Sequence, residues 1–206
     1  MTANFALHDP HLEPILEKLH KESEAQHPAL IAFFILRHIL NSLGLSSWLS
    51  EDYFNSFMRD KSTALERDKA QFCYLLTRAT GAKTVVEVGS SFGVSTIYLA
   101  AAVRDNSHDE HGVVIATEKE PTKIAKAKMV WEQAKLNKWI KLLEGDVLET
   151  LKDIHLDDPI DLVLMDIWVP MALPSLKNLL PKMKKGISQL ILSDRRGNCD
   201  YRSDES

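Results

Sequence analysis

The sequence predicts an α/β fold: a Rossmann-like, doubly wound parallel sheet with N-terminal helices. Three observations predict it. From Lys83 onward, short apolar runs alternate with amphipathic ones, the pattern of strands joined by right-handed crossover helices. The first run, Thr84-Val85-Val86-Glu87-Val88, is β-branched and shows no polar alternation, as a strand covered on both faces requires. Gly89 and Gly93 follow it, and Ser95 opens the amphipathic run Thr96 to Val103, so a strand feeds a helix through a tight turn.

In chain order, residues 1 to about 80 read as helical. Pro14 suits a first helical turn, Pro28 opens Ala29 to Leu43, and Gly44 stops that helix. Residues 61–79 form a further helix that Gly81 ends. Strands are expected at 84–88, 113–117, 140–143, 161–165 and 188–193. Helices are expected at 94–103, 121–136, 147–154 and 173–184, with Pro121 opening the second of these. Three segments result: an N-terminal helical cap or association segment (1–60), a ligand-binding sheet domain (61–194) and a polar tail expected to be disordered (195–206).

Composition narrows the function. The chain has 206 residues, 45% hydrophobic, enough for one domain with a full core. A net charge of −4 gives no basic footprint for nucleic acid or an anionic membrane. Lys182, Lys184 and Lys185 are expected to decorate a helix end. The two cysteines, Cys73 and Cys199, have no metal or disulfide spacing, so a reducing, cytoplasmic setting is expected. The longest apolar run, Ala29 to Leu36, is too short to span a bilayer, and the first residues lack the basic region of a secretory signal. That apolar stripe favours a homodimer.

The turn after the first strand selects the ligand. A dinucleotide fingerprint needs G-x-G-x-x-G, with bare backbone for a pyrophosphate. Here the pattern is Glu-x-Gly-x-x-x-Gly, and Ser90, Ser91 and Phe92 stand between the glycines. An acid and a ring disfavour a pyrophosphate, hence NAD, and suit a ligand bearing an ammonium and a carboxylate. The sulfonium cofactor S-adenosylmethionine has both. Glu118 ends the second strand, where a carboxylate can accept from both ribose hydroxyls; the loop Arg104 to Gly112 accounts for its distance from Glu87. Asp146 follows the third strand and is read two ways, as a partner for an adenine amino group and as a helix cap. Asp166 follows the fourth strand and should face the same crevice as Glu87.

These residues resemble class I S-adenosylmethionine-dependent methyltransferases of the catechol and caffeoyl-CoA O-methyltransferase type (O-methyltransferase family 3). The resemblance runs from about Asp60 to Asp194 and is carried by VVEVGSSFGVSTIYLAAAV, ATEKEPTKIAKAK, LLEGDVLETL and DLVLMDIW. It implies that Glu87, Gly89, Ser90, Ser91, Gly93 and Ser95 surround the methionine part of the cofactor, that Glu118 holds the ribose and that Asp146 lies beside the adenine. It implies a catalytic, metal-binding Asp166, with Asp194 as second ligand of a Mg²⁺ ion. Arg195 stands where the family has Asn, and Val169 where it has the lysine base, although Trp168 fits. An octahedral Mg²⁺ wants hard oxygen donors, and Arg195 supplies a cation instead. The family's antiparallel strand pair after the fifth strand is also missing, so a C-terminally truncated product is expected.

Two functions remain. One is methyl transfer to a small hydroxylated, phenolic or catechol-like acceptor, with Trp48, Tyr53, Phe54, Phe57 and Trp168 as an aromatic wall. The other is a non-catalytic S-adenosylmethionine-binding or interaction protein, because the cofactor motif is intact while the chemical one is altered.

Overall fold

A computed structural model describes residues 6–45, 53, 57, 64–108, 111–152, 154–185, 189–193 and 199–201. Two helices come first, α1 (Leu12–Glu24) and α2 (His27–Ser42), followed by α3 (Arg67–Thr80). Then strands and helices alternate: β1 (Thr84–Val88), α4 (Val94–Asn106), β2 (Val113–Glu118), α5 (Pro121–Gln133), β3 (Ile140–Glu144), α6 (Val147–Thr150), β4 (Leu162–Met165), α7 (Val169–Leu179), β5 (Gln189–Ser193) and β6 (Cys199–Tyr201).

The sheet order is β3-β2-β1-β4-β5-β6. The first five strands are mutually parallel and β6 is antiparallel to β5. Strand order therefore reverses between β1 and β4, the place where open α/β sheets bind ligands at their carboxyl ends.

The period-two geometry of strands divides the core into two layers. Val85, Val114, Ala116, Leu162 and Leu164 face one side, under α1, α3, α4 and α5. Val86, Val88, Ile115, Val163 and Met165 face the other, under α6 and α7. Burial on both sides explains why the strands read as continuous apolar runs. Helix α4 is buried from Val94 to Val103, and Ala100, Ala101 and Ala102 let it lie close between the sheet and α3. Asp161 fixes the starts of the two central strands: its Oδ2 accepts from the amides of Lys83 (3.0 Å) and Thr84 (3.1 Å).

The differences from the sequence reading are largest at four places. Helix α3 begins at Arg67 rather than 61; residues 64–66 are not helical, and 61–63 lie outside the described residues. Helix α6 is a single turn, and Lys182 Nζ donates to the carbonyls that follow it, those of Leu151 and Lys152 (3.1 and 2.9 Å). The lysine thus serves the end of α6 instead of decorating its own helix. Helix α7 begins at Val169 rather than 173, because Pro170 in its first turn is itself a start signal. The segment read as a disordered polar tail contains β6, whose three residues give β5 backbone partners along an otherwise open edge.

Candidate functional site

The site grows from the turn after β1. Gly89 has φ +91°, and a Cβ there would stand 2.5 Å from the carbonyl oxygen of Asp166. Only a residue without a side chain lets the turns after β1 and β4 come this close. Gly93 has φ +78°, and its imagined Cβ would stand 2.4 Å from Trp131 Nε1. The indole N–H of Trp131 donates to the Gly93 carbonyl (3.0 Å), so α5 holds the start of α4 in place. Gly93 is the N-cap of α4 and no side chain caps this helix. The first N–H groups of a helix have no intrahelical acceptor, so the start of α4 suits a carboxylate.

Thr117 of β2 fastens the same turn from the other side. Its Oγ1 accepts from the Gly89 amide (2.9 Å) and its carbonyl from the Ser90 amide (2.9 Å). Ser90 Oγ donates to that carbonyl as well (3.3 Å). Ser91 takes a left-handed conformation (φ +50°), and its hydroxyl is buried with no hydrogen-bond partner. An orphaned buried hydroxyl beside a left-handed turn is an uncommon cost that a bound molecule would relieve.

Glu87 lies beneath this turn, fully buried. Strand parity turns it toward α4, where the Ser95 hydroxyl donates to one carboxyl oxygen and the Thr96 hydroxyl to the other (2.5 Å). Burial pushes its carboxyl up to about 7, against the pull of those two hydroxyls, and the negative charges of Asp166 and Glu118 add to the rise. Glu87 is therefore held beneath the turn, its two carboxyl oxygens occupied by Ser95 and Thr96. The sequence does not signal this orientation, because a doubly covered strand gives no sign of which face an acid takes.

The other carboxylates lie at the ends of neighbouring strands. Glu118 Oε1 accepts from the amides of Lys119 (2.8 Å) and Glu120 (3.0 Å), which fixes the carboxylate. Its Oε2 takes no protein hydrogen bond among the described residues and is available to a hydroxyl pair. The Gly145 amide donates to the Glu118 carbonyl (3.0 Å) and brings the turn after β3 alongside. Asp146 caps α6, with Oδ1 accepting from the Leu148 amide (2.9 Å). The cap reading thus holds, and the exposed second oxygen leaves the adenine reading open. Asp166 is buried directly after β4, and its amide donates to the Val88 carbonyl (3.0 Å).

The structure thus brings Glu87, Gly89, Ser90, Ser91, Gly93, Ser95, Glu118, Asp146 and Asp166 to one edge of the sheet. Asp194 and Arg195 lie outside the described residues, as do Trp48 and Phe54 of the expected aromatic wall. Phe57 stacks on Phe33 of α2 (centroids 4.0 Å apart), and Trp168 is exposed after β4. Among the described residues no group of three His, Cys, Asp or Glu could hold a metal ion, and Asp194, the expected second ligand of Mg²⁺, lies outside them. The donor set does fit a zwitterionic nucleoside: an uncapped helix start, a fixed carboxylate with one open oxygen, and an orphaned hydroxyl. Thr117 and Trp131 escaped the sequence reading. Trp131 belongs to the buried stripe Ile124, Ala127, Val130 and Trp131 of α5, and only its indole N–H sets it apart from a core residue.

A cavity of about 810 Å³ opens at the opposite, amino-terminal edge of the sheet, lined by Lys83, His111, Lys141, Asp158, Asp161 and Lys184 among others. It carries mixed charges and lies far from the carboxyl ends, so strand topology outweighs its size.

A family model described as a methyltransferase domain matches residues 86–190. Among curated proteins, none matches the sequence. The fold is similar to a Klebsiella pneumoniae protein put forward as an O-methyltransferase (TM-score 0.62, 21% identity, 91% of this chain and 66% of that one). It is also similar to an O-methyltransferase from Bacillus cereus in complex with SAH (0.59, 23%, 68% and 61%). A third is the O-methyltransferase TomG from Streptomyces achromogenes, involved in tomaymycin synthesis and solved with SAM (0.57, 20%, 69% and 70%). The chain spans less than two thirds of the length of the first two. No helix among the described residues is long and apolar enough to cross a membrane.

Proposed function

Because the chain belongs to the methyltransferase-domain family, we propose that it binds S-adenosylmethionine and directs its methyl group to the oxygen of a small hydroxylated acceptor. One observation carries this reading: three carboxylates, Glu87, Glu118 and Asp166, converge on the switch point beside the uncapped start of α4. A cation with an anionic arm and a ribose matches that arrangement. The neighbouring O-methyltransferases solved with SAM or SAH support it.

When bound, the cofactor supplies an electrophilic methyl on a positively charged sulfur. The chain's residues do the rest. The first-turn amides of α4 hold the carboxylate arm. Ionised Glu87 draws the hydroxyl protons of Ser95 and Thr96 toward itself. Ser95 is then left with lone pairs to offer an ammonium. The open oxygen of Glu118 accepts from the ribose. Asp166, at the crevice, would orient the acceptor hydroxyl and accept its proton. Holding the two partners in line is the main contribution, since positioning alone supplies much of the acceleration of such a displacement.

S-adenosylhomocysteine should raise the melting temperature while NAD does not. Glu118→Ala should weaken S-adenosylhomocysteine binding by roughly tenfold to a hundredfold, the worth of hydrogen bonds to a charged group. Absence of any thermal shift with wild-type protein would overturn the reading. A second reading, a cofactor-binding protein without turnover, is favoured by Val169 in the place of a lysine base. Tight S-adenosylhomocysteine binding with no methyl transfer to catechol-like acceptors would select it.

A further inference from the structure

Each of the five parallel strands sends one basic side chain to the cavity at the amino-terminal edge of the sheet. In strand order these are Lys141 on β3, His111 before β2, Lys83 before β1, His155 before β4 and Lys184 before β5. The chain carries a net charge of −4, so such a row is no sample of its average surface. The acids of the cavity come from one place only, the segment before β4: Asp157, Asp158 and Asp161. Asp161 is committed to the fold, with Oδ2 on the Lys83 and Thr84 amides and Oδ1 3.7 Å from Lys184 Nζ. Lys141, Asp157 and Asp158 are exposed and make no side-chain hydrogen bond or ion pair among the described residues. One half of the cavity, over β3, β2 and β1, thus presents basic groups, and the β4 side presents two open carboxylates.

We propose that this cavity binds a small phosphorylated sugar. Lys141, His111 and Lys83 take the phosphate, and Asp157 and Asp158 accept from the sugar hydroxyls. Neighbouring strands lie about 4.8 Å apart, so basic groups from three adjacent strands can meet the oxygens of one tetrahedral anion from different sides. The donor types favour phosphate over carboxylate. No arginine lines the cavity, and the planar guanidinium fork is the group that matches a carboxylate, whereas lysine binds phosphate as a compact point charge. The volume of about 810 Å³ lies in the range of small-molecule pockets and exceeds what a bare ion fills. A nucleic-acid strand is the poorer fit, because Asp157 and Asp158 would repel a continuous row of phosphates. The cavity lies at the edge opposite the proposed cofactor crevice, and the inference does not rest on methyl transfer.

Titration calorimetry of the wild-type chain at low ionic strength should show saturable binding of ribose 5-phosphate, weaker binding of inorganic phosphate and none of ribose. Lys141→Ala should weaken ribose 5-phosphate binding by roughly tenfold, as loss of a hydrogen bond to a charged group does. The double variant Asp157→Asn with Asp158→Asn should weaken ribose 5-phosphate and leave inorganic phosphate no weaker. Neither variant should alter the response to S-adenosylhomocysteine. Absence of saturable heat overturns the proposal, and so does an affinity unchanged in Lys141→Ala. Ribose 5-phosphate bound no tighter than inorganic phosphate also overturns it, since the site would then hold an adventitious anion only. Competition by S-adenosylhomocysteine would put the sugar phosphate in the crevice and likewise count against the cavity. Lys141→Gln, which keeps most of the side-chain stem on the edge strand β3, serves if Lys141→Ala does not fold, with the same loss expected.

Discussion

The turn after β1 and the turn after β4 lie side by side at the switch point, yet they are built by opposite rules. After β1, two left-handed glycines, a left-handed Ser91, Thr117 from β2 and Trp131 from α5 leave the backbone no slack. After β4, Asp166 is buried, but Trp168, Val169 and Leu173 are exposed. The first turn is a fixed mould and the second an open lip. On the proposed function, the mould is the place for the cofactor, which does not vary, and the lip the place for the acceptor, which does.

The strongest way to break this contrast is Gly93→Val. Its β-carbon collides with the Trp131 indole on a backbone that β-branched residues avoid. The variant should lose about 3 kcal/mol and roughly 6–12 °C in melting temperature, with no S-adenosylhomocysteine shift. Melting near wild type would mean that the mould yields.

Next comes pH, read through Glu87. A carboxyl held at about 7 when folded, against a reference value of 4.5, binds its proton more tightly in the folded state. Its stabilising contribution is whole below pH 4.5 and is lost as pH rises through 7. Glu87→Gln removes that dependence. The stability of wild type relative to Glu87→Gln should therefore fall by about 2–3 kcal/mol between pH 5 and pH 8 in urea unfolding. A constant difference would show that the acid is not held as described.

The smallest effect sharpens the contrast from the other side. Trp168→Ala removes an exposed ring from the lip. It should change stability by no more than about 0.5 kcal/mol and leave S-adenosylhomocysteine affinity within twofold by calorimetry. Any effect should fall on acceptor turnover. A large loss of cofactor affinity would merge lip and mould into one unit.

Much of the mould was legible in the sequence. The strand-to-turn run from Thr84 to Ser95 and the acids at three further strand ends are readable from the residues, and the structure sets them along one edge of the sheet. Two things were not legible. The side on which Glu87 points could not be read, because Thr84–Val88 carries no alternation. The supports from Thr117 and Trp131 reach the turn across more than 25 residues of chain, and such pairings leave no local pattern. Boundaries failed where a tertiary contact outweighed propensity, as where Lys182 takes up the carbonyls beyond α6. The tail residues failed because three polar-leaning residues give no strand signal; their pairing depends on the free edge of β5.

Thr117 carries a last consequence. At this buried strand position valine has nearly the same shape and higher strand preference, so a comparison based on volume alone would rate the two as interchangeable. Valine would fill the space and leave the Gly89 amide without its acceptor, whereas serine would leave a small void and keep the bond. The outwardly rougher replacement is the one this fold should tolerate.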